Sequence, residues 1–264
     1  YLKSQHSFFQ RLLVKKITDG ILALSNPTKE ALLKWNIPAD KIYVTRNILN
    51  FEDIRIQVEN GLSNMPPKAD SSFKILLPAG LLSTKGQHTA IKAAKILKEK
   101  GYDFVLWIAG DISIGKKNKY TEYLQQLITE KDIGDCVYML GWRNDVPALM
   151  DHCSIVILPT HTEGLPRVVM EAMLLKRPVV TTPVGGIPDL IKNGRTGLLF
   201  SVEDERKLAD QIERLMNNTK LRNKLVTNAY RHIQQSYNID KHIELVKQSL
   251  AEIKTNKERK RNAN

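Results

Sequence analysis

The predicted fold depends on residues 153–182, which read CSIVILPTHTEGLPRVVMEAMLLKRPVVTT. Apolar and β-branched side chains open and close this stretch, a pattern typical of strands buried in a parallel sheet. Pro166 stands where a helix would begin, a position that does not need the N–H group that proline lacks. The stretch divides into a strand, a loop, a helix and a strand at residues 154–158, 159–166, 167–175 and 178–182. This order predicts an α/β fold whose loop lies at the carboxyl end of a strand, where open α/β sheets bind ligands.

Two carboxylates lie in this unit, Glu163 in the loop and Glu171 on the helix. The start of a helix leaves backbone N–H groups unpaired and carries partial positive charge, so it suits an anion. The expected donors are the amides at Gly164, Leu165, Arg167 and Val168. Because a carboxylate accepts hydrogen bonds from hydroxyl groups, amides and carboxylates together fit a sugar nucleotide. Taken one at a time, each glutamate is better explained as a surface charge.

Glu163 and Glu171, with seven residues between them, resemble the E-x7-E signature of the retaining glycosyltransferases of family 4. Two later blocks also resemble that family, GGIPD at residues 185–189 and NGRTGLL at residues 193–199. The blocks are spaced as in the family, and the resemblance covers residues 25–237. It implies the GT-B fold, with a Rossmann-like parallel sheet flanked by helices, and retention of the anomeric configuration.

The resemblance also implies roles for the residues of the central loop and helix. Glu171 would hold the ribose hydroxyls, and Glu163 would contact the donor sugar. The segment between them, Gly164, Leu165, Pro166 and Arg167, would bind the donor. Helix-start amides and a lysine would stabilise the leaving diphosphate in the transition state, so neither a metal nor another cofactor is expected.

The lysine is Lys85, which follows a predicted strand in the segment AGLLSTKGQ at residues 79–87. Its ammonium group can reach a diphosphate from such a turn, although a lone loop lysine is more often only solvated. The segment resembles the family's Arg-Leu-…-Lys-Gly block, but Gly80 stands where the family usually has arginine. Arg167 is a candidate to supply a cation in its place. Lys85 and Glu163 are the predicted catalytic residues, and Gly80 belongs to the predicted donor site.

The ends of two further predicted strands contain candidate donor-site residues. Gly110 ends a predicted strand, where glycine permits either close approach by a ligand or an ordinary tight turn. The turn Gly141-Trp142-Arg143 ends another strand, and the resemblance places it against the nucleobase, mainly through backbone groups. Trp142 either stacks on the base or packs elsewhere. Asp145 is expected to cap the helix that follows.

The resemblance divides the chain into four parts. The first part resembles the end of an N-terminal acceptor-side domain, most of which is absent, so a fragment or a split protein is expected. The second contains Asn60-Gly61 and Pro66-Pro67 and lacks sustained periodicity. We also expect Asp189 to act locally at a helix start and residues 254–264 to be disordered. The parts are the acceptor-side remnant, an interdomain linker, a nucleotide-sugar-binding Rossmann-like domain, and a C-terminal crossing helix with a basic tail, at residues 1–47, 48–72, 73–236 and 237–264.

Lysine and arginine total 40 against 28 acidic residues, a net charge of +12. This surplus predicts an anionic partner, with solubility alone as the competing explanation. No nucleic-acid partner is predicted, because aromatic residues do not interleave with a basic face. Cys136 and Cys153 are expected to be buried free thiols of a reducing cytoplasm. No spacing of cysteine and histidine predicts a metal site, and no apolar run is long enough to span a bilayer.

The sequence therefore predicts a glycosyltransferase that moves a sugar from a nucleotide-diphosphate sugar, with UDP expected, to a glycan or lipid-linked acceptor. By analogy, its pathway is polysaccharide or lipopolysaccharide biosynthesis, in the cytoplasm with peripheral contact to the inner membrane surface. The alternative is a nucleotide-sugar-binding module that needs a partner domain for activity. Gly80 and the absent acceptor-side domain favour the module, whereas Glu163, Glu171 and Lys85 favour the enzyme.

Overall fold

The computed structural model describes residues 14–71, 73–111 and 119–262. An N-terminal helix expected at residues 1–16 and a basic loop expected at residues 112–120 lie mostly outside these ranges. Within them, the chain forms a pair of parallel strands near its start and one six-stranded parallel sheet. The large sheet and its helices correspond to the predicted α/β class.

The strand pair consists of β1 (Ile21–Ala23) and β2 (Ile42–Val44), with α1 (Asn26–Lys34) between them. The sequence predicts a strand, a helix and a strand at residues 20–25, 26–35 and 41–45, and this order is confirmed. The helix begins at Asn26, as predicted, and Ser25 is its N-cap. The Ser25 hydroxyl oxygen accepts a hydrogen bond from the Thr28 amide at 3.3 Å, which satisfies one unpaired donor of the first turn.

The segment after β2 contains a helix that the sequence analysis did not predict. This helix, α2 (Phe51–Glu59), is capped by the Asn50 side chain, which accepts from the amides of Glu52 and Asp53. Ile54 is its buried residue. With so little apolar surface, its periodicity is weak, and packing against the later helix Val146–His152 supports it. The domain boundaries themselves stay a prediction.

The large sheet contains all the remaining strands, paired in parallel in the order β5-β4-β3-β6-β7-β8. The chain therefore starts in the middle, builds outward to one side, and then returns to build the other side. Such an order creates a switch point between β3 and β6, where ligands bind in doubly wound folds. The strands are β3 (Lys74–Pro78), β4 (Val105–Ala109), β5 (Val137–Gly141), β6 (Ile155–Leu158), β7 (Val179–Thr181) and β8 (Leu198–Leu199).

Helices cover both faces of this sheet. Along β3, Ile75 and Leu77 face one apolar cluster, while Leu76 faces the other. The first layer includes α3 (Gln87–Glu99), α4 (Lys119–Glu130) and α8 (Glu205–Met216). The second includes α5 (Val146–His152), α6 (Arg167–Leu174), α7 (Ile187–Leu190) and α9 (Thr219–Ser236). The central prediction is confirmed, since β6, α6 and β7 follow one another as the sequence indicated.

The last helix, α10 (Ile239–Asn262), returns to the N-terminal strand pair. Asn256 donates to the Tyr43 hydroxyl at 3.2 Å, and the Lys257 ammonium lies 2.6 Å from Asp19. The expectation of a disordered tail is wrong for residues 254–262, which continue the helix. Lysine, arginine and glutamate favour helix, and the contact with Asp19 holds the last turns.

Both cysteines are buried free thiols, as predicted. Burial raises the pKa of Cys136 to about 11 and that of Cys153 to about 12, so neither forms a reactive thiolate near neutral pH. Among the helices in the described ranges, none combines the length and apolar composition that crossing a bilayer would require.

Candidate functional site

A cavity of about 430 Å³ opens at the carboxyl ends of β3, β4 and β5 and faces the start of α6. It lies beside the switch point of the sheet, where the connections leave in opposite directions. Six of the predicted donor-site residues line it: Gly80, Gly110, Trp142, Arg143, Arg167 and Glu171. These residues come from four separate segments, so the sheet topology brings them together.

Glu171 is the buried carboxylate of this cavity. Its side chain is only 12% exposed, and the Arg167 guanidinium lies 3.5 Å from its Oε1 atom. Burial raises the pKa of Glu171, and the pairing with Arg167 offsets this only in part. A carboxylate held away from water with one weak partner keeps acceptor capacity for a ligand.

The start of α6 lies beside Glu171. Pro166 is the N-cap and Arg167 the first helical residue, as predicted, and Arg167 and Val168 line the cavity. Gly164 and Leu165 do not line it. Leu165 is buried in the apolar core, and the Gly164 carbonyl accepts from the Gly186 amide at 2.7 Å. These two residues hold the loop in place, so they would act on a ligand indirectly or through backbone groups.

Lys85 and Glu163 form an ion pair outside the set that lines the cavity. The Lys85 Nζ atom lies 2.6 Å from Glu163 Oε1, and the side chains are 25% and 11% exposed. Their two loops are joined because the Thr84 carbonyl accepts from the His161 amide and from the Thr160 hydroxyl, at 2.8 and 3.0 Å. The sequence predicted both residues for the site but not their pairing.

A double-mutant cycle tests the strength of this pair. Lys85→Met and Glu163→Gln are each expected to lower the free energy of unfolding by about 1–2 kcal/mol, because each leaves a partly buried partner unpaired. The double substitution should cost less than the sum of the two. The measurement is urea unfolding at constant m-value.

The matched control is the exposed pair Lys241–Glu244, whose side chains are 49% and 54% exposed at 3.0 Å. Its coupling should stay below about 0.5 kcal/mol, since solvent screens exposed charges. Equal coupling in the two pairs would show that the Lys85–Glu163 contact is an ordinary surface pair.

The turn after β5 presents its two predicted side chains differently. Trp142 is 69% exposed at the edge of the cavity, so its ring is open to a ligand. The Arg143 guanidinium is held by Asp145, with Nη2 2.6 Å from the carboxylate, and it also contacts Asn64. Arg143 therefore shapes the cavity wall rather than offering a free cation.

Asp145 is the N-cap residue of α5, as predicted, but its side chain makes no capping hydrogen bond. Its carboxylate instead accepts from the Ser63 amide at 2.6 Å and from Arg143. Burial alone would raise the pKa of Asp145, but hydrogen bonds from Arg143 and Ser63 outweigh burial and lower it. Asp145 thus ties the segment before β3 to the turn after β5.

Two glycines of the cavity differ in what they require. At Gly110, φ is +155° and an added Cβ would lie 2.0 Å from the Ala79 carbonyl oxygen. The close approach that Gly110 permits is therefore to the neighbouring strand end of the protein itself. At Gly80, an added Cβ would be 3.3 Å from the Asp111 carbonyl oxygen, so this position demands glycine far less strongly.

Asp189 acts over a longer range than predicted. Its carboxylate accepts from the Asn26 amide at 2.9 Å and from the Asn26 side chain at 3.3 Å. This contact joins the start of α1 to α7, so the expectation of a purely local role is wrong. It lies at the junction between the N-terminal strand pair and the large sheet.

Among the contributors that sequence reasoning missed are Gln57 and Gly185. Gln57 of α2 lines the cavity, and no sequence signal marked it because α2 itself was not predicted. Gly185 packs directly on Glu163, where an added Cβ would lie 1.6 Å from the carbonyl oxygen. The signal for Gly185 was its place in the Gly-Gly turn, which the sequence shows without revealing the contact.

The chain is similar in sequence to a known protein family and to several curated proteins. Residues 62–232 match the family model described as "Glycosyl transferases group 1". The chain is 27% identical over 239 residues to the capsular polysaccharide biosynthesis glycosyltransferase CapM of Staphylococcus aureus, covering 87% of this chain and 62% of CapM. It is 25% identical over 251 residues to the UDP-Gal:alpha-D-GlcNAc-diphosphoundecaprenol alpha-1,3-galactosyltransferase of Escherichia coli, covering 93% of this chain and 63% of that protein.

Solved structures share the fold. The crystal structure of Anabaena Alr3699/HepE in complex with UDP and glucose superposes with a TM-score of 0.80 at 23% identity, covering 93% of this chain and 67% of that one. The chain spans between 47% and 62% of the length of the first three curated relatives it matches.

Proposed function

This chain belongs to the glycosyl transferases group 1 family, and we propose that it forms the donor-binding part of a retaining glycosyltransferase that uses a UDP-sugar. The observation that carries the proposal is the buried Glu171 carboxylate, which shares one cavity with the start of α6. Together they offer acceptors for hydroxyl groups and donors for phosphate, the two chemistries that a sugar nucleotide presents.

Within this proposal, each part of the cavity has a role. Glu171 accepts from the ribose hydroxyls, and the turn at Trp142 borders the nucleobase. The diphosphate meets the first amides of α6, where the partial positive charge of the helix is concentrated. Arg167 lines the same cavity as Gly80, so its guanidinium supplies a cation that Gly80 lacks.

The Lys85–Glu163 pair completes the proposed site. Donor binding places the diphosphate near the ammonium of Lys85 and the sugar near the carboxylate of Glu163. As the bond from the anomeric carbon to the phosphate breaks, negative charge grows on the leaving diphosphate. A fixed ammonium and helix amides stabilise that charge more in the transition state than in the ground state, so they accelerate the step. This chemistry needs no metal ion.

The relatives support a proposal for the acceptor and the cellular setting. CapM is named for capsular polysaccharide biosynthesis, and the Escherichia coli galactosyltransferase acts on a diphosphoundecaprenol-linked sugar by its name. A glycan or lipid-linked acceptor at the cytoplasmic face of a membrane is therefore part of the proposal. The basic surface of the protein, with net charge +12, suits peripheral contact with anionic lipid.

Thermal unfolding with added nucleotides tests the proposal. We expect UDP and UDP-sugars at millimolar concentration to raise the melting temperature, and GDP and inorganic diphosphate to raise it less. A ligand at 100 times its Kd stabilises the folded state by about 2.7 kcal/mol. The shift should be the same with and without added magnesium. A shift with GDP but not UDP would overturn the choice of base, and no shift with any of them would overturn the donor site.

The second candidate is a donor-binding module without activity of its own, which Gly80 favours. The enzyme and the module would both bind UDP, but only the enzyme would transfer the sugar. A UDP-dependent shift with no sugar transfer or donor hydrolysis, in the chain joined to an acceptor-side domain, would support the module.

A further inference from the structure

A second cluster of chemically active side chains lies outside the cavity. His88 at the start of α3, His161 in the loop after β6 and Glu203 in the turn before α8 each offer one ligand atom, and these atoms all lie within 4.8 Å of one another. The three residues are far apart in the sequence, so no motif spacing could reveal them. Two imidazoles and a carboxylate form a common ligand set for zinc.

His161 provides an independent indication that the cluster is a binding site. Its Nε2 atom is shielded from solvent and has no hydrogen-bond partner in the part of the chain that the structure describes. The nearest carboxylate oxygen, Glu203 Oε1, is 3.8 Å away, beyond a hydrogen bond. A buried ring nitrogen without a partner is unfavourable unless something else satisfies it.

His88 is oriented by a neighbour, as metal-binding histidines usually are. Its Nδ1 atom lies 2.8 Å from the Tyr120 hydroxyl, and that hydroxyl donates to Gln87 at 3.3 Å. When Tyr120 donates to Gln87, its oxygen accepts from His88 Nδ1–H, which leaves the Nε2 lone pair for another ligand.

The distances require only a small closure. Ligand atoms around tetrahedral zinc sit about 2.0–2.2 Å from the metal, hence roughly 3.3 Å from each other. Closing from the 4.8 Å limit to this spacing takes at most about 1.5 Å. The Glu203 side chain is 65% exposed and can supply part of this movement, and small rotations of the two imidazoles supply the rest. Water would complete the fourth position.

We propose that His88, His161 and Glu203 bind one zinc ion that ties together the start of α3, the loop after β6 and the turn before α8. Two of these segments also carry the Lys85–Glu163 pair, since Lys85 precedes α3 and Glu163 follows His161. The ion would therefore hold the loops of the proposed donor site without taking part in the reaction. The sequence prediction of no metal site is replaced here by a site that only the tertiary structure assembles.

Zinc titration of the full chain, purified without a histidine tag and stripped with EDTA, tests this proposal. Competition with a chromophoric chelator should show one zinc ion per chain, and cobalt should give the visible absorption of a tetrahedral nitrogen and oxygen site. His88→Asn and His161→Asn should each weaken zinc binding about 100-fold, and Glu203→Gln at least about 10-fold. Exposed His152 lies before β6, whereas His161 follows it, so a strand separates the two. His152→Asn should therefore leave the affinity unchanged.

Saturation at one ion with this pattern of variants supports the site. Absence of saturable binding, or equal affinity in wild type and His161→Asn, overturns it, and so does equal weakening by His152→Asn. Glu203→Gln changes an exposed side chain and should fold normally, so it keeps the test valid even if a histidine variant unfolds. Zinc binding is read by chelator competition and UDP binding by the thermal shift, so failure of the zinc site and failure of the donor site remain distinguishable.

Discussion

Glu171→Ala is expected to weaken UDP binding by about 10- to 100-fold, because it removes a charged acceptor worth about 1.5–3 kcal/mol in hydrogen bonds to the ligand. The side chain faces the cavity from the second turn of α6 and is mostly shielded from solvent. Isothermal titration with UDP measures the effect. Glu122→Ala, an exposed residue in the first turn of α4, is the matched control and should leave the affinity unchanged.

Replacing Glu171 with the neutral glutamine should leave folding intact or improve it. Burial raises the pKa of Glu171 above its ordinary value, so the folded state binds this proton more tightly than the unfolded state does. The penalty for charging is absent below the unfolded pKa and grows as the pH rises through the folded pKa. Glu171→Gln should therefore be as stable as wild type at low pH and more stable at neutral pH.

Urea unfolding of wild type and Glu171→Gln across this pH range checks the sign. Opposite changes in binding and stability would identify Glu171 as a residue kept for ligand binding at some expense of stability. Unchanged UDP affinity in Glu171→Ala would remove the ribose role. A loss of stability at neutral pH would instead make Glu171 a structural residue.

Gly185→Ala is expected to lower the free energy of unfolding by more than about 3 kcal/mol. Two costs combine at this position. The φ angle of +54° disfavours any side chain, and the added Cβ would lie 1.6 Å from the Glu163 carbonyl oxygen. Since that atom belongs to the backbone, relief requires the whole loop to move, and with it the carboxylate of Glu163.

Gly194→Ala separates the two costs. Gly194 has a similar φ of +71°, but no atom lies within 4 Å of its added Cβ. This variant should lose only about 1 kcal/mol, the cost of the left-handed conformation alone. Equal losses in the two variants, measured by urea unfolding, would show that contact with Glu163 does not restrict position 185. Weaker UDP-sugar binding in Gly185→Ala than in Gly194→Ala would tie the turn to the site.

Much of the fold followed from local patterns. Short apolar runs, prolines at helix starts and glycines at turns predicted β6, α6 and β7 within a few residues, because backbone conformation responds to near neighbours. The pattern failed for α2, whose apolar face is too small to show a period, and for residues 254–262, where charge suggested disorder but helix propensity and a contact with Asp19 prevailed.

In the candidate site as well, some features follow from the sequence and others only from the tertiary structure. The sequence by itself determined which residues are available: two carboxylates with seven residues between them, a helix start within that interval, and a lysine beside a glycine after β3. These signals depend on residues that are close together in the chain, so they can be recognised from the sequence alone. The sequence could also place Gly185 next to a helix start, though not against the Glu163 carbonyl.

Only the tertiary structure decided which of these groups meet. The sheet order brings Lys85 against Glu163 across 78 residues and places Glu171, Gly110 and Trp142 around one cavity. It also brings the ligand atoms of His88, His161 and Glu203 within 4.8 Å of one another. Side-chain pairs of this kind depend on strand order and loop packing, which arise from burial of the whole core rather than from any short stretch of chain.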